Sequence, residues 1–158
     1  MANTQAMTTS FMGELMTATH NFGTAPVRAT GATDSFKGAL YLTSATYNAS
    51  TTAYSATGEV SGTNYVAGGV AVTFGTPPTA TNSSTTAGVA FVTPSASITY
   101  TNVTLTTAFD AVLIYNSTQS NKAVSVHTFG SQTVTAGTFT LTMPSNTTST
   151  ALIRLATT

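Results

Sequence analysis

Along residues 109 to 130, FDAVLIYNSTQSNKAVSVHTFG, the apolar positions do not follow one simple alternation. Ala111, Leu113 and Tyr115 interleave with Val112 and Ile114, so both faces of this segment are apolar. That pattern predicts a central strand covered on both sides. NSTQSN is turn chemistry, and Ala123, Val124 and Val126 resume a strand, giving a hairpin. Further downstream the alternation is cleaner. Phe139, Leu141 and Met143 face one way and threonines the other. In 97–105 the apolar phase slips between Tyr100 and Val103, which predicts a bulge near Thr101-Asn102.

From residue 36 onward, turn residues recur every eight to twelve positions, the spacing of an all-β sandwich or barrel. The expected strands are 36–43, 65–74, 88–93, 97–105, 110–116, 122–129, 131–135, 138–143 and 150–155. The segment 75–87, with its proline pair, is expected to be an exposed loop. Near the start the period changes. Met7, Phe11, Leu15, Ala18 and Phe22 recur at steps of three and four, widened by Met12 and Met16, and predict one amphipathic helix over 3–22. Asn3 or Thr4 would cap it and Asn21-Gly23 would stop it. A helix of this length is marginal alone in water. It must rest on its own sheet, with one flank in an oligomer interface, or dock wholly on a neighbouring subunit. The expectation is therefore a mainly β, antiparallel sandwich or barrel-like domain: one domain over 1–158, with a helix at 3–22 and a β domain at 36–158.

Composition narrows the function. Charged residues make up 5 % of the chain, against a typical ~25 %. The four acids (Glu14, Asp34, Glu59, Asp110) and four bases (Arg28, Lys37, Lys122, Arg154) cancel and are scattered. Four bases cannot build the positive field that nucleic-acid binding needs. There are no cysteines, hence no disulfide or thiolate metal site. No apolar run is long enough to cross a bilayer, and MANTQAMTTSF lacks the features of a secretory signal. Asn-x-Ser/Thr triplets at Asn48, Asn82, Asn102, Asn116 and Asn146 are expected by chance in so Thr- and Ser-rich a chain. A surface of threonine, serine and asparagine suits a protein held in an assembly, or one with an extracellular life.

The candidate chemistry is thin. Asp110, Lys122 and His127 share the hairpin, and Asp110 approaches His127 if the strands pair in register. Ser117 and Ser120 lie at the turn, so a Ser-His-Asp triad would need another serine. The plainer expectation is a strand histidine bonded to a hydroxyl. His20 and His127 stand in no ligand-spaced motif, so no metal is expected. GEVSGTNYVAGG lacks the strand–helix context of a phosphate loop. Tyr41, Tyr47, Tyr54, Tyr65, Tyr100 and Tyr115 are either a sugar-stacking surface or, more simply, core-edge residues. No catalytic, cofactor or metal residue is assigned, and no enzyme activity is expected.

Several stretches resemble a family of small structural proteins of tailed bacteriophages. MANTQAMTTSFMGELMTATHNF is similar to that family's opening helix. SFKGALYL and TTAYSATGEVSGTNYVAGG are similar to its first strand and following loop. FDAVLIYNSTQSNKAVSVHTFGSQTVTAGTFTLTMPSNTTSTALIRLA carries the closest likeness: an apolar strand ending in Tyr-Asn, a polar turn, a strand closing in Phe-Gly, and a final Ala-Ile-Arg-like strand. The likeness covers most of the chain and is weakest across 75–95. It implies a virion structural protein on the outer surface of the particle, either a capsid decoration (cement) protein or a tail or baseplate component. Its partners would be the major capsid protein or tail proteins and further copies of itself, as a trimer more than a dimer. The other class left open is a carbohydrate-binding or adhesive β-sandwich.

Overall fold

The computed structural model describes residues 2–16, 18–22, 33–81 and 88–156. Its elements are β1 (Ala6–Met7), α1 (Thr9–Met16), β2 (Phe36–Leu42), β3 (Val70–Val72), β4 (Thr79–Ala80), β5 (Val89–Val92), β6 (Ile98–Asn116), β7 (Lys122–Leu141) and β8 (Ile153–Ala156). They form two antiparallel sheets, one in the order β1-β7-β6-β2-β3 and one in the order β4-β5-β8. The chain is mainly β, and none of its described helices is long and apolar enough to cross a membrane.

Five expected strands are in fact two. Residues 97–105 and 110–116 belong to the single strand β6, and 122–129, 131–135 and 138–143 fuse into β7, which ends at Leu141. Gly130 and Ala136-Gly137 look like breaks, but bulges absorb them. The expected slip is present: Tyr100 pairs with Phe139 and Val103 with Gly137, leaving an extra residue in β6 at Asn102, whose φ is 53°. A reciprocal bulge follows in β7, where Ala136 takes φ 47°. The expected strand 65–74 shrinks to β3. Gly68 and Gly69 adopt φ of 85° and 74°, and a Cβ on Gly69 would overlap the Gly38 carbonyl at 1.7 Å. This pair turns the chain closely against β2, which only glycine permits. Of the expected loop 75–87, residues 79–80 form β4, and 82–87 lie outside the described residues.

The helix also needs correction. α1 covers 9–16 rather than 3–22. Ahead of it, β1 is extended and pairs with Val126 and Ser125 of β7. Beyond it, Ala18 takes the left-handed conformation at φ 53°. Its N–H reaches the Leu15 carbonyl at 3.1 Å, and the Thr19 N–H reaches that of Glu14 at 2.9 Å. These two bonds form a Schellman cap, which stops the helix. The three-and-four spacing persists because Phe11 and Phe22 both enter the core from this folded-back segment. Met12, expected to widen the buried stripe, is 45 % exposed. Met16's side chain and Gly23 lie outside the described residues.

The central strands β2, β6 and β7 separate two cores. Ile114, Val112, Leu40 and Val124 enter the larger one, with Phe11, Phe22 and Phe36. Leu113, Ala111, Ala39 and Val126 enter the smaller one, roofed by Ala45, Tyr47 and Tyr54. Leu113 and Ile114 thus face opposite layers, as the doubly apolar run predicts. A bulge makes the return strand fit. Ile114 opposes Ser125 and Tyr115 opposes Ala123, so Val124 is the additional residue and turns into the larger core. Val92 of β5 and Ile153 of β8 enter that same core, which joins the small sheet to the large one.

Candidate functional site

The hairpin polar residues go to three different places. His127 pairs across the ladder with Val112, not Asp110. Asp110 instead accepts the Asn3 side-chain amide at 2.6 Å, and Asn3 also donates to the Leu42 carbonyl and accepts the Tyr47 N–H. Lys122 donates to Glu14 at 2.6 Å. Among the turn serines, Ser117 donates to the Ser35 carbonyl, and Ser120 holds a left-handed turn position. The triad geometry is absent among these residues.

His127 does have a hydroxyl partner, Ser125, whose Oγ lies 2.8 Å from Nε2. Ser125 is nearly fully buried. Burial pushes the His127 imidazole down to about 4, so the ring is neutral at physiological pH. The ring borders a cavity walled by Ile98, Ile114, Phe129 and Leu141. A Ser–His pair works as a nucleophile when a carboxylate orients the ring. Asp110, the acid of the same hairpin, is bound to Asn3.

Sequence reasoning treated His20 and Lys122 separately and missed the network that joins them at the hairpin tip. Glu14 of α1 accepts from Lys122 at 2.6 Å and lies 2.7 Å from His20 Nε2. The Asn116 side chain, fully buried at the end of β6, lies 3.0 Å from His20 Nδ1 and donates to Asp34 at 2.8 Å. Asp34 also accepts the Asn21 N–H and the Gln119 side chain. Burial pushes Glu14 up, but its bonds and charge contacts with Lys122 and His20 outweigh this and hold the carboxyl below its ordinary value. Burial pushes His20 down, against the pull of Glu14. No three His, Cys, Asp or Glu side chains among the described residues are placed to hold a metal. The network fastens the helix to the turn. The buried Asn116 is also unavailable for glycosylation, and Asn82 lies outside the described residues.

The fourth acid is spent in the same way. Glu59 accepts from the hydroxyls of Tyr54 and Tyr65 and from the Gly68 N–H, all at 2.7–2.8 Å. Tyr115 donates to the Gly68 carbonyl, Tyr100 to that of Gly38, and Tyr41 to that of Ser55. Burial, with the Glu59 charge, pushes these phenols up. With hydroxyls turned inward, these tyrosines brace the core edge. GEVSGTNYVAGG is the loop carrying this brace. All four side-chain carboxylates are therefore internal fasteners, and the exposed half of β7, from Ser131 to Thr140, presents hydroxyls and small groups. No protein-family model, curated protein or solved structure matches the chain.

Proposed function

We propose that this chain is a structural protein of a tailed-bacteriophage virion, a decoration or cement protein on the outer face of the head shell. The observation that carries this reading is the internal use of every side-chain carboxylate. It leaves a hydroxyl-rich, nearly uncharged exterior that packs against neighbours with few ions to desolvate. The likeness of the opening segment and the long hairpin to small phage structural proteins points the same way. We take the two sheets, joined through the larger core, as the layers of an antiparallel sandwich. A shell accessory protein binds many equivalent sites, so weak single contacts sum to a strong lattice. A homotrimer suits local threefold positions on such a shell.

The test is the copy number of the chain in purified particles of the phage that encodes it, by quantitative mass spectrometry. A number commensurate with the shell protein supports decoration. A small fixed set places the chain in the tail or baseplate, and absence from particles sinks the virion reading. Asp110→Asn and His127→Gln are expected to leave particle assembly unchanged. Loss of assembly by a folded variant would make this hairpin a functional site.

A further inference from the structure

β1 and β8 are the end strands of the two sheets, and both border one slot. Its walls are residues 5–7, 125–127 and 152–154, around a volume of about 250 Å³. An end strand carries backbone N–H and C=O groups without ladder partners on its outer side; β8, paired only with β5, is such an edge, whereas the Thr4 and Thr9 N–H groups flanking β1 are bonded to the Tyr47 and Ala49 carbonyls. His127 and Leu152 also line the adjoining cavity of about 120 Å³, whose other walls include Ile98, Ile114, Phe129 and Met143. The combination is a backbone edge beside a side-chain pocket, the arrangement by which sheets capture an extended peptide. We infer that this slot docks an extended segment of a different protein, with an apolar residue for the cavity and an acidic residue for Arg154.

Charge selects the occupant. Arg154 is exposed and is, among the described residues, the one lysine, arginine or carboxylate side chain bordering the slot, with one guanidinium nitrogen donating to the Thr148 carbonyl at 3.2 Å. The remaining guanidinium donors match a carboxylate. A second copy of this chain is a poor source, because its Glu14, Asp34, Glu59 and Asp110 are already engaged in its own fold. The walls are three residues long, about 10 Å of strand. One site therefore binds weakly and gains strength only when many copies act together. This geometry stands whether or not the protein belongs to a virion.

The test is amide chemical-shift mapping on the full ¹⁵N-labelled chain. The probe is a capped hexapeptide alternating threonine and leucine with one aspartate near its end. Controls are the same peptide with lysine for aspartate, and one with a central proline. We expect shifts centred on residues 5–7, 125–127 and 152–154, roughly fivefold weaker binding of the lysine peptide, and none of the proline peptide. Arg154→Glu, at an exposed position, should keep the remaining spectrum and invert the preference between aspartate and lysine. No shifts at about millimolar peptide, shifts elsewhere, or an unchanged preference in Arg154→Glu would overturn the inference. Shifts at the slot on concentrating the chain alone would assign it to a second copy and equally overturn it.

Discussion

The two halves of the β6–β7 hairpin are built from one pair of strands yet obey different rules. Near the turn, from Ala111 to Asn116 against Lys122 to Thr128, the ladder has one bulge and is buried on both faces. Away from the turn, four register shifts fall between Tyr100 and Ala111. There β7 is half exposed and alternates threonine with Val134, Phe139 and Leu141. Two covered faces penalise any slip, because a one-residue shift would carry apolar side chains out of one core and into the other. One covered face tolerates bulges, which add twist and blunt the outer edge of β7 against unwanted pairing.

This contrast is most exposed to failure in the core. Leu113→Ala and Ile114→Ala should each cost about 2–5 kcal/mol, and Val134→Ala in the outer half less than about 1.5 kcal/mol, by urea unfolding. Equal losses at Leu113 and Val134 would erase the distinction between the halves.

A smaller effect tests the junction, where His127 lies. Its folded value near 4 is below the 6.5 of an exposed imidazole. The unfolded chain therefore takes up the proton first as pH falls. The stability involved is complete above pH 6.5 and is lost progressively down to about 4. Glu14 and His20, also lowered, act with the same sign. His127→Gln should flatten the stability–pH curve over that window by roughly 2 kcal/mol, allowing for the partial exposure of the ring, and leave the steeper acid limb. An unchanged curve would mean that the imidazole is as well solvated folded as unfolded.

The smallest effect lies in the outer half. Ala136 holds a left-handed backbone at the β7 bulge, a conformation costing an L-residue about 1–2 kcal/mol. Ala136→Gly should therefore raise stability by up to about 1 kcal/mol, after the entropy that glycine loses on folding. Thermal unfolding measures this, and destabilisation would show that the methyl group packs usefully.

What was legible in the sequence follows the same division. The doubly apolar run at 111–115 and the phase slip at Tyr100–Val103 are local patterns, and both appear in the fold. The continuity of β6 and β7 was hidden, because glycines and small residues signal turns and bulges alike. The helix was over-read, since a chain that folds back at Ala18 keeps Phe11 and Phe22 in phase while leaving the helical path. The fasteners were illegible for a different reason. Asn3 and Asp110 lie 107 positions apart, and Glu14 and Lys122 lie 108 apart. No spacing rule links such pairs, and only the closed topology brings them together.

Those long separations impose an order on the birth of the molecule. The segment carrying Phe11 and Phe22 leaves the ribosome before the hairpin, and Ser125 and Val126, the partners of β1, and Lys122, the partner of Glu14, are made more than a hundred residues later. The hairpin must close before its edge exists for β1 to join. Until then Phe22 can meet only Phe36 and Phe74, and the core that both rings enter lacks its central strands. The opening segment therefore locks only once the hairpin is made, and through that interval the nascent chain carries incompletely covered aromatic rings.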